Sequence, residues 1–168
     1  MIIPTPSHFK NLYRLVFASL AFLSVSANGM VVFVDHSAIE GQQTGESWAD
    51  AYVNLQTALT SAAPDDEIWV AQGTYYPDPE RQSRRAAFGM RKGVAIFGGF
   101  AGGEGERSDR NSDPATNGMI LSGDLLANDG EDPSTRVDNS CHVVVSTTGA
   151  DESSILDGFR SRGFGIIR

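Results

Sequence analysis

Cysteine is almost absent from this chain: Cys141 is alone among 168 residues, so no disulfide can form within the chain. A chain without bridges must be held by its core and its hydrogen-bond ladders, or by a metal ion or a partner. Cys141 stands beside His142 at the start of an apolar run, and neighbours on a strand point to opposite faces. These two residues are therefore poor candidates for a catalytic pair, and we predict that Cys141 is a small buried core residue.

Basic residues are also scarce. The chain carries 13 Lys and Arg against 21 Asp and Glu, which gives a formal net charge of -8. Nucleic-acid binding depends on Lys and Arg that neutralise phosphate, so this balance argues against a nucleic-acid partner. The one basic cluster stands among acidic residues and predicts a solvated loop; it consists of Arg81, Arg84, Arg85, Arg91 and Lys92. Catalytic motifs such as HExxH, CxxC and an ordered Ser-His-Asp set are missing as well.

Long apolar runs are confined to the beginning of the chain. Residues 15–25 are apolar, two basic residues precede them, and residues 25–27 supply the small side chains of a cleavage site. We predict a secretory signal over residues 1–27 and one domain over residues 28–168. An uncleaved anchor over residues 15–34 is the alternative, but polar residues and a glycine interrupt it near its middle. We then expect a protein that is secreted or located at the cell surface or outer membrane, with no membrane span once the signal is removed.

The remaining sequence combines one helical pattern with many short strands. Apolar residues recur at helical spacing, and Ser47 and Asp50 have the spacing of a capping box, so we predict a helix over residues 47–62. Brief β-branched and aromatic runs surround it, each closed by Gly, Asn or Asp; they fall within residues 30–34, 66–77, 94–97, 119–121, 142–145 and 154–156. One helix among short, glycine-punctuated strands predicts an all-β fold of stacked or wrapped strands rather than alternating βαβ units.

Glycines cluster in residues 98–105, where a phosphate-binding loop has to be considered. The segment lacks the Gly-Lys-Ser/Thr ending of a P-loop and the third glycine of a dinucleotide fingerprint. Glu104 and Glu106 stand where a phosphate would be repelled. We therefore predict a sharp corner after a strand at residues 94–97, at which glycine tolerates the backbone geometry.

The acidic loop 124–138 holds the candidate metal ligands. Asp129, Glu131 and Asp132 supply carboxylate oxygens of the kind that Ca²⁺ prefers, so a calcium site in this loop is one hypothesis. The loop does not follow the EF-hand pattern, because apolar residues stand two and four positions before Asp129. The other hypothesis is a solvated loop built from turn-forming Asp, Asn, Gly and Pro. No other cofactor is indicated.

Taken together, these segments resemble secreted bacterial right-handed parallel β-helix proteins of the pectin-lyase-like and polymorphic-outer-membrane-protein-like kind. The matching segments cover roughly residues 30–159 in order; they are residues 47–52, 55–59, 66–77, 93–100, 120–124, 142–144 and 156–159. Order and spacing are specific for the architecture. The activity is not specified, because this family mixes surface proteins, adhesin-like proteins and carbohydrate-active enzymes.

The resemblance implies a right-handed parallel β-helix, a solenoid whose first coil is capped by the helix of residues 47–62. Trp48, Tyr52, Leu55 and Leu59 would then lie on that coil, since an open coil end invites aggregation. The chain departs from the family after residue 159, where many further coils are expected. We therefore expect the solenoid to be incomplete at its C-terminus, with any catalytic coils beyond this chain.

The resemblance leaves two hypotheses for function. The first is a secreted or cell-surface protein with a structural, adhesive or carbohydrate-contacting role, in which Tyr75 and Tyr76 either stack on sugar rings or simply pack. The second is a polysaccharide lyase or glycoside hydrolase. Asp124 and Asp157 are its candidate carboxylates, because each follows an apolar strand and the two could align on neighbouring coils. Asp beside Gly after a strand is otherwise a turn former.

Overall fold

The computed structural model describes residues 29–163 and 166–167, so the signal predicted over residues 1–27 lies outside the described residues. The strands are β1 (Val31–Val34), β2 (Glu67–Ala71), β3 (Gly73–Tyr75), β4 (Phe88–Met90), β5 (Ala95–Phe100), β6 (Met119–Ser122), β7 (Val144–Ser146), β8 (Ile155–Asp157), β9 (Arg160–Arg162) and β10 (Ile166–Ile167). One α-helix, α1 (Leu55–Ser61), and two 3₁₀ turns, Arg107–Asp109 and Pro133–Arg136, complete the described elements. Within this described part, no helix is long and apolar enough to cross a bilayer.

The strands form three sheets in which every described strand pairing is parallel. Sheet A has the order β1-β2-β5-β8, sheet B the order β3-β6-β9, and sheet C the order β4-β7-β10. From β2 onward the chain passes through sheets A, B and C in turn, three times over. The fold is therefore β-rich with parallel sheets, and that part of the prediction is confirmed.

One hydrophobic core contains side chains from all three sheets. In sheet A, Ile68 is in register with Ile96 and Leu156, so aliphatic side chains from β2, β5 and β8 align on the same face. Sheet B contributes Tyr75 and Leu121 in the same way. Successive residues on a strand point to opposite faces, so the side chains between these positions lie on the outer faces of the sheets.

The helix is shorter than predicted, because it begins at Leu55 and not at Ser47. Ser47 does accept a 3.1 Å hydrogen bond from the backbone N–H of Asp50, but that bond closes a turn outside the helix. The backbone of Tyr52 pairs with β1: its N–H donates to Phe33 and its carbonyl accepts from Asp35, both at 2.9 Å. This pairing holds Tyr52 extended, so helical geometry can begin only after it.

Helix α1 packs against β1, β2 and β4, of which β1 and β4 are the first strands of sheets A and C. Its buried residues Leu55, Ala58 and Leu59 join the common core. The guanidinium group of Arg91 donates hydrogen bonds to the carbonyls of Leu59 at 2.6 Å and Thr60 at 3.1 Å. These bonds satisfy carbonyls that the last turn leaves without helical partners.

Two further predictions are corrected by the fold. Cys141 is exposed, because β7 begins at Val144 and the chain is still outside the sheet at Cys141. Gly98 and Gly99 lie inside β5 rather than at a corner after it. A Cβ on Gly98 would stand 2.9 Å from the carbonyl oxygen of Gly158, so glycine at this point permits two backbones to approach closely.

Candidate functional site

The outer face of sheet A carries a row of aromatic side chains. Phe33, Trp69 and Phe97 are in register on β1, β2 and β5. The rings of Phe33 and Trp69 have centroids 5.8 Å apart, and Trp69 stacks on Phe100 at 4.8 Å with an interplanar angle of 11°. Both separations are in the range of favourable aromatic pairs. We call this set of residues, together with Trp48, the aromatic face.

Trp48 belongs to the aromatic face and not to the helix, where the sequence placed it. Its ring centroid lies 4.8 Å from that of Phe33 and 5.5 Å from that of Phe100. The indole N–H donates a 2.9 Å hydrogen bond to the backbone carbonyl of Glu104. Trp48 therefore ties the loop after β5 to the outside of sheet A.

Two arginines from the 3₁₀ turn region lie over Phe97. The guanidinium carbon of Arg107 is 4.6 Å from the centroid of the ring, and that of Arg110 is 5.2 Å from it. Both distances are within cation–π range. The pair holds two positive charges against an aromatic ring that is only 7% exposed.

Each of these arginines is also paired with a carboxylate of sheet A. Arg107 donates to Glu67 at 2.5 Å, and Arg110 donates to Asp157 and, at 2.9 Å, to the carbonyl of Gly98. Glu67 in turn accepts a 2.8 Å hydrogen bond from the indole N–H of Trp69. The carboxylates orient the guanidinium groups through these charge-assisted hydrogen bonds.

A groove of about 630 Å³ opens beside these groups. It is lined by Glu67, Trp69, Glu106, Arg107, Ser108, Arg110 and Ser112. The lining combines guanidinium donors, carboxylate acceptors and hydroxyl groups around an indole edge. Such a surface offers hydrogen bonds of both kinds to a ligand rich in hydroxyl groups.

The two candidate carboxylates do not come together. Asp157 is in β8, in register with Phe97 on sheet A, whereas Asp124 follows β6 of sheet B. Asp124 is 1% exposed, and its two oxygens accept the backbone N–H groups of Asn128 at 3.0 Å and Asp129 at 3.2 Å. The two residues therefore do not align across consecutive passages through the sheets, because β6 and β8 belong to different sheets; Asp124 closes a turn instead.

Tyr75 and Tyr76 are divided between the two roles considered for them. Tyr75 is 3% exposed, and its hydroxyl donates to the carbonyl of Ala71 at 2.9 Å. Burial raises the pKa of the Tyr75 phenol well above its ordinary value. Tyr75 is thus a packed residue. Tyr76 is half-buried, and the centroid of its ring lies 4.0 Å from the guanidinium carbon of Arg81.

The glycine-rich loop does not present its N–H groups to a phosphate. The carboxylate of Glu104 accepts from Ala101 at 2.6 Å and from Gly102 and Gly103 at 3.0 Å each. Partial burial acts to raise the pKa of Glu104, but these hydrogen bonds outweigh it and lower the pKa below its ordinary value. The Glu104 carboxylate therefore occupies the backbone N–H groups that a phosphate would need.

The calcium candidates do not converge as predicted. Glu131 is exposed, and Asp132 caps the second 3₁₀ turn by accepting the Ser134 N–H at 2.9 Å, a bond that lowers the pKa of Asp132. Asp129 faces Asn139, which donates to it at 3.0 Å. Across residues 29–163, where side chains are described, no group of three or more His, Cys, Asp or Glu side chains is placed to hold a metal ion.

Sequence reasoning missed Glu67, Arg107 and Arg110. Glu67 and Trp69 alternate with the core residues Ile68 and Val70. The two-residue period of a strand could therefore have placed Glu67 and Trp69 on an outer face. The arginines gave no such signal, because they belong to a loop without periodicity.

Comparison of the chain with protein-family models, with curated proteins and with solved structures finds no match.

Proposed function

We propose that this chain is a secreted or cell-surface protein, built on a right-handed parallel β-helix, whose groove on sheet A contacts carbohydrate. The β-helix is supported by the repeated passage through sheets A, B and C and by the parallel pairing of all described strands. Helix α1 beside the first strands of sheets A and C is what a capped first coil requires. The partner is a polysaccharide or another cell-surface component, and nucleic acid is not proposed.

One observation carries the carbohydrate proposal: Arg107 and Arg110 are fixed over Phe97 at the edge of the groove by Glu67 and Asp157. Fixed guanidinium groups bind hydroxyl and carboxylate oxygens at a low cost in side-chain entropy. Trp69 adds an aromatic edge to the lining. Oriented donors and acceptors suit the hydroxyl groups on the rims of sugar rings.

The test is binding of neutral and uronic-acid oligosaccharides, measured by calorimetry. Arg107→Gln and Arg110→Gln should each weaken binding about tenfold, since a hydrogen bond to a charged donor is worth roughly 1.5–3 kcal/mol. Arg81→Gln is the matched control, because Arg81 also lies over an aromatic ring but outside this groove. Carbohydrate contact at this groove is refuted if no oligosaccharide binds, or if all three variants bind equally well.

A polysaccharide lyase or glycoside hydrolase is the second candidate function, and the position of Asp157 next to the groove-lining Arg110 favours it. An assay for reducing ends or unsaturated products on pectin, alginate and related glycans tests it. Loss of turnover in Asp157→Asn, with binding retained, would support an enzyme. Tight binding without any turnover would leave the adhesive and structural role as the better proposal.

A further inference from the structure

The segment between β6 and β7 concentrates buried oxygen atoms that have no hydrogen-bond partner. Among the described residues, four of the five such side-chain atoms are in this segment: Asp129 Oδ1, Asp138 Oδ1, Asn139 Oδ1 and Ser140 Oγ. Asn139 is 1% exposed and Ser140 is fully buried. A buried polar atom without a partner costs about 1–3 kcal/mol, so a concentration of them points to a ligand that would satisfy them.

Asp129 and Asp138 each hold the loop through their second carboxylate oxygen, so the unpartnered atoms are not the result of a loosely built loop. Asp138 accepts the backbone N–H of Leu126 through Oδ2 at 3.1 Å. Asp129 accepts the side-chain amide of Asn139 through Oδ2 at 3.0 Å. Each carboxylate thus uses one oxygen to hold the loop and leaves the other without a partner.

Two of the unpartnered atoms belong to residues that line one cavity. Its volume is about 250 Å³, and its lining residues are Asp129, Arg136, Asn139 and Gly163. The amide of Asn139 has a defined orientation, because its nitrogen donates to Asp129 and its oxygen is the free end. Carboxylate and amide oxygens only accept, so the missing partner has to be a cation or a hydrogen-bond donor.

We propose that this cavity binds Ca²⁺, with Asp129 Oδ1 and Asn139 Oδ1 as its side-chain ligands. Ca²⁺ takes carboxylate and amide oxygens in flexible arrangements and completes its shell with waters and backbone carbonyls, which a cavity of this size can hold. Mg²⁺ demands a stricter octahedron, and Zn²⁺ prefers His and Cys. This site keeps Asp129 from the sequence prediction and replaces Glu131 and Asp132 with Asn139. It does not depend on the carbohydrate proposal.

The positive charge of Arg136 at the cavity limits the affinity of the site for Ca²⁺. Arg136 lines the same cavity and reaches the carbonyl of Gly130 at 3.4 Å, which leaves a cation facing the bound ion. Arg162 approaches Asp124 at 4.0 Å below the loop. With one carboxylate ligand and a nearby guanidinium group, the dissociation constant should be about 10⁻⁴–10⁻³ M, the range of extracellular calcium modules.

The first experiment titrates CaCl₂ into the full chain by calorimetry and follows thermal unfolding in Ca²⁺, in Mg²⁺ and in EDTA. We expect saturable binding and a melting temperature that rises by about 4 °C at saturating Ca²⁺. Asp129→Asn should weaken binding at least about tenfold, whereas Glu131→Gln, an exposed acid of the same loop, should bind as the wild type does. Absence of saturable heat up to about 10 mM Ca²⁺, an equal response to Mg²⁺, or unchanged binding in Asp129→Asn would each overturn the proposal.

A second pair of variants keeps the proposal testable even if Asp129→Asn fails to fold. Arg136→Gln removes the opposing charge at an exposed position and should tighten Ca²⁺ binding several-fold. Asn139→Asp should also tighten it, while lowering the melting temperature in EDTA because two carboxylates then face each other. Unchanged Ca²⁺ affinity in both variants would show that Ca²⁺ does not bind in this cavity.

Discussion

The backbone N–H of Asn111 donates a 2.9 Å hydrogen bond to the carbonyl of Gly99, inside β5. The two backbones are so close that a Cβ on Gly99 would stand 1.9 Å from the carbonyl oxygen of Asn111. Gly99 also has φ of +97°, which side chains other than glycine rarely adopt. This contact holds the loop that carries Arg107 and Arg110 against sheet A.

Gly99→Ala should therefore lower the free energy of unfolding by about 2–4 kcal/mol, because both the strained φ and the clash must be relieved. The measurement is urea unfolding followed by tryptophan fluorescence. Gly103→Ala is the control, since a Cβ there meets no atom within 4 Å. A similar loss of stability in both variants would mean that close approach at Gly99 is not the cause.

Leu55→Ala should lower the free energy of unfolding by about 2–5 kcal/mol, because Leu55 is 2% exposed and its truncation leaves a cavity under α1. Leu126→Ala makes the same chemical change at a residue that is 63% exposed. It should change stability by less than about 0.5 kcal/mol. Chemical unfolding of the two variants side by side checks whether α1 closes the core. A loss of less than about 0.5 kcal/mol in Leu55→Ala would contradict that role for α1.

Arg91→Gln should cost about 1–2 kcal/mol of the free energy of unfolding, because it removes the guanidinium donor from the carbonyls of Leu59 and Thr60 at the end of α1. Arg85→Gln has the same charge change at another exposed arginine nearby in sequence. Thermal unfolding of the two variants at several salt concentrations separates a hydrogen bond from a general charge effect. Equal melting temperatures for both variants would rule out a specific role for Arg91.

Stability should fall as the pH rises above 10, because burial raises the folded-state pKa of Tyr75 above the ordinary value of 10.0. Below pH 10 the phenol is protonated in both states, so its contribution is fully present. Above pH 10 the unfolded chain releases the proton while the folded chain retains it, which favours unfolding by about 1.4 kcal/mol per pH unit.

Urea midpoints at pH 9, 10 and 11, compared between the wild type and Tyr75→Phe, check this pH dependence. The variant loses the hydroxyl bond to Ala71, so its free energy of unfolding should be lower by about 1 kcal/mol at pH 9. Its stability should then fall less steeply between pH 10 and 11. Parallel curves for the two proteins would show that Tyr75 is not the titrating group.

Local pattern predicted most of the described strands but missed β4, β9 and β10, and it placed the start of the helix wrongly. In β2, the alternation of Ile68 and Val70 with Trp69 is a property of neighbouring residues, so the sequence contains it. The start of the helix is not local, because Tyr52 pairs with the backbone of β1 and stays extended. Ser47 has a capping residue's chemistry and even makes the expected bond to Asp50, but long-range pairing decides where the helix begins.

Candidate site residues were predicted only in part, for a similar reason. Asp157 was named because it ends an apolar run, and it does lie at the outer face of sheet A. Asp124 was named on the same grounds, yet its strand belongs to another sheet. Which strands become neighbours depends on the lengths and paths of the loops between them, and these have no periodicity to interpret.

The amino-acid sequence alone determined that short β-branched runs closed by glycine would form strands, because side-chain alternation and backbone freedom act over a few residues. Only the tertiary structure decided that Arg107 and Arg110 meet Phe97, and that Asp129 meets Asn139. The first contact joins a loop to the strand before it, and the second closes a loop on itself, with no periodicity in either loop to predict it. They depend on close backbone approaches, as at Gly99 and Asn111, whose geometry exists only once the sheets have packed.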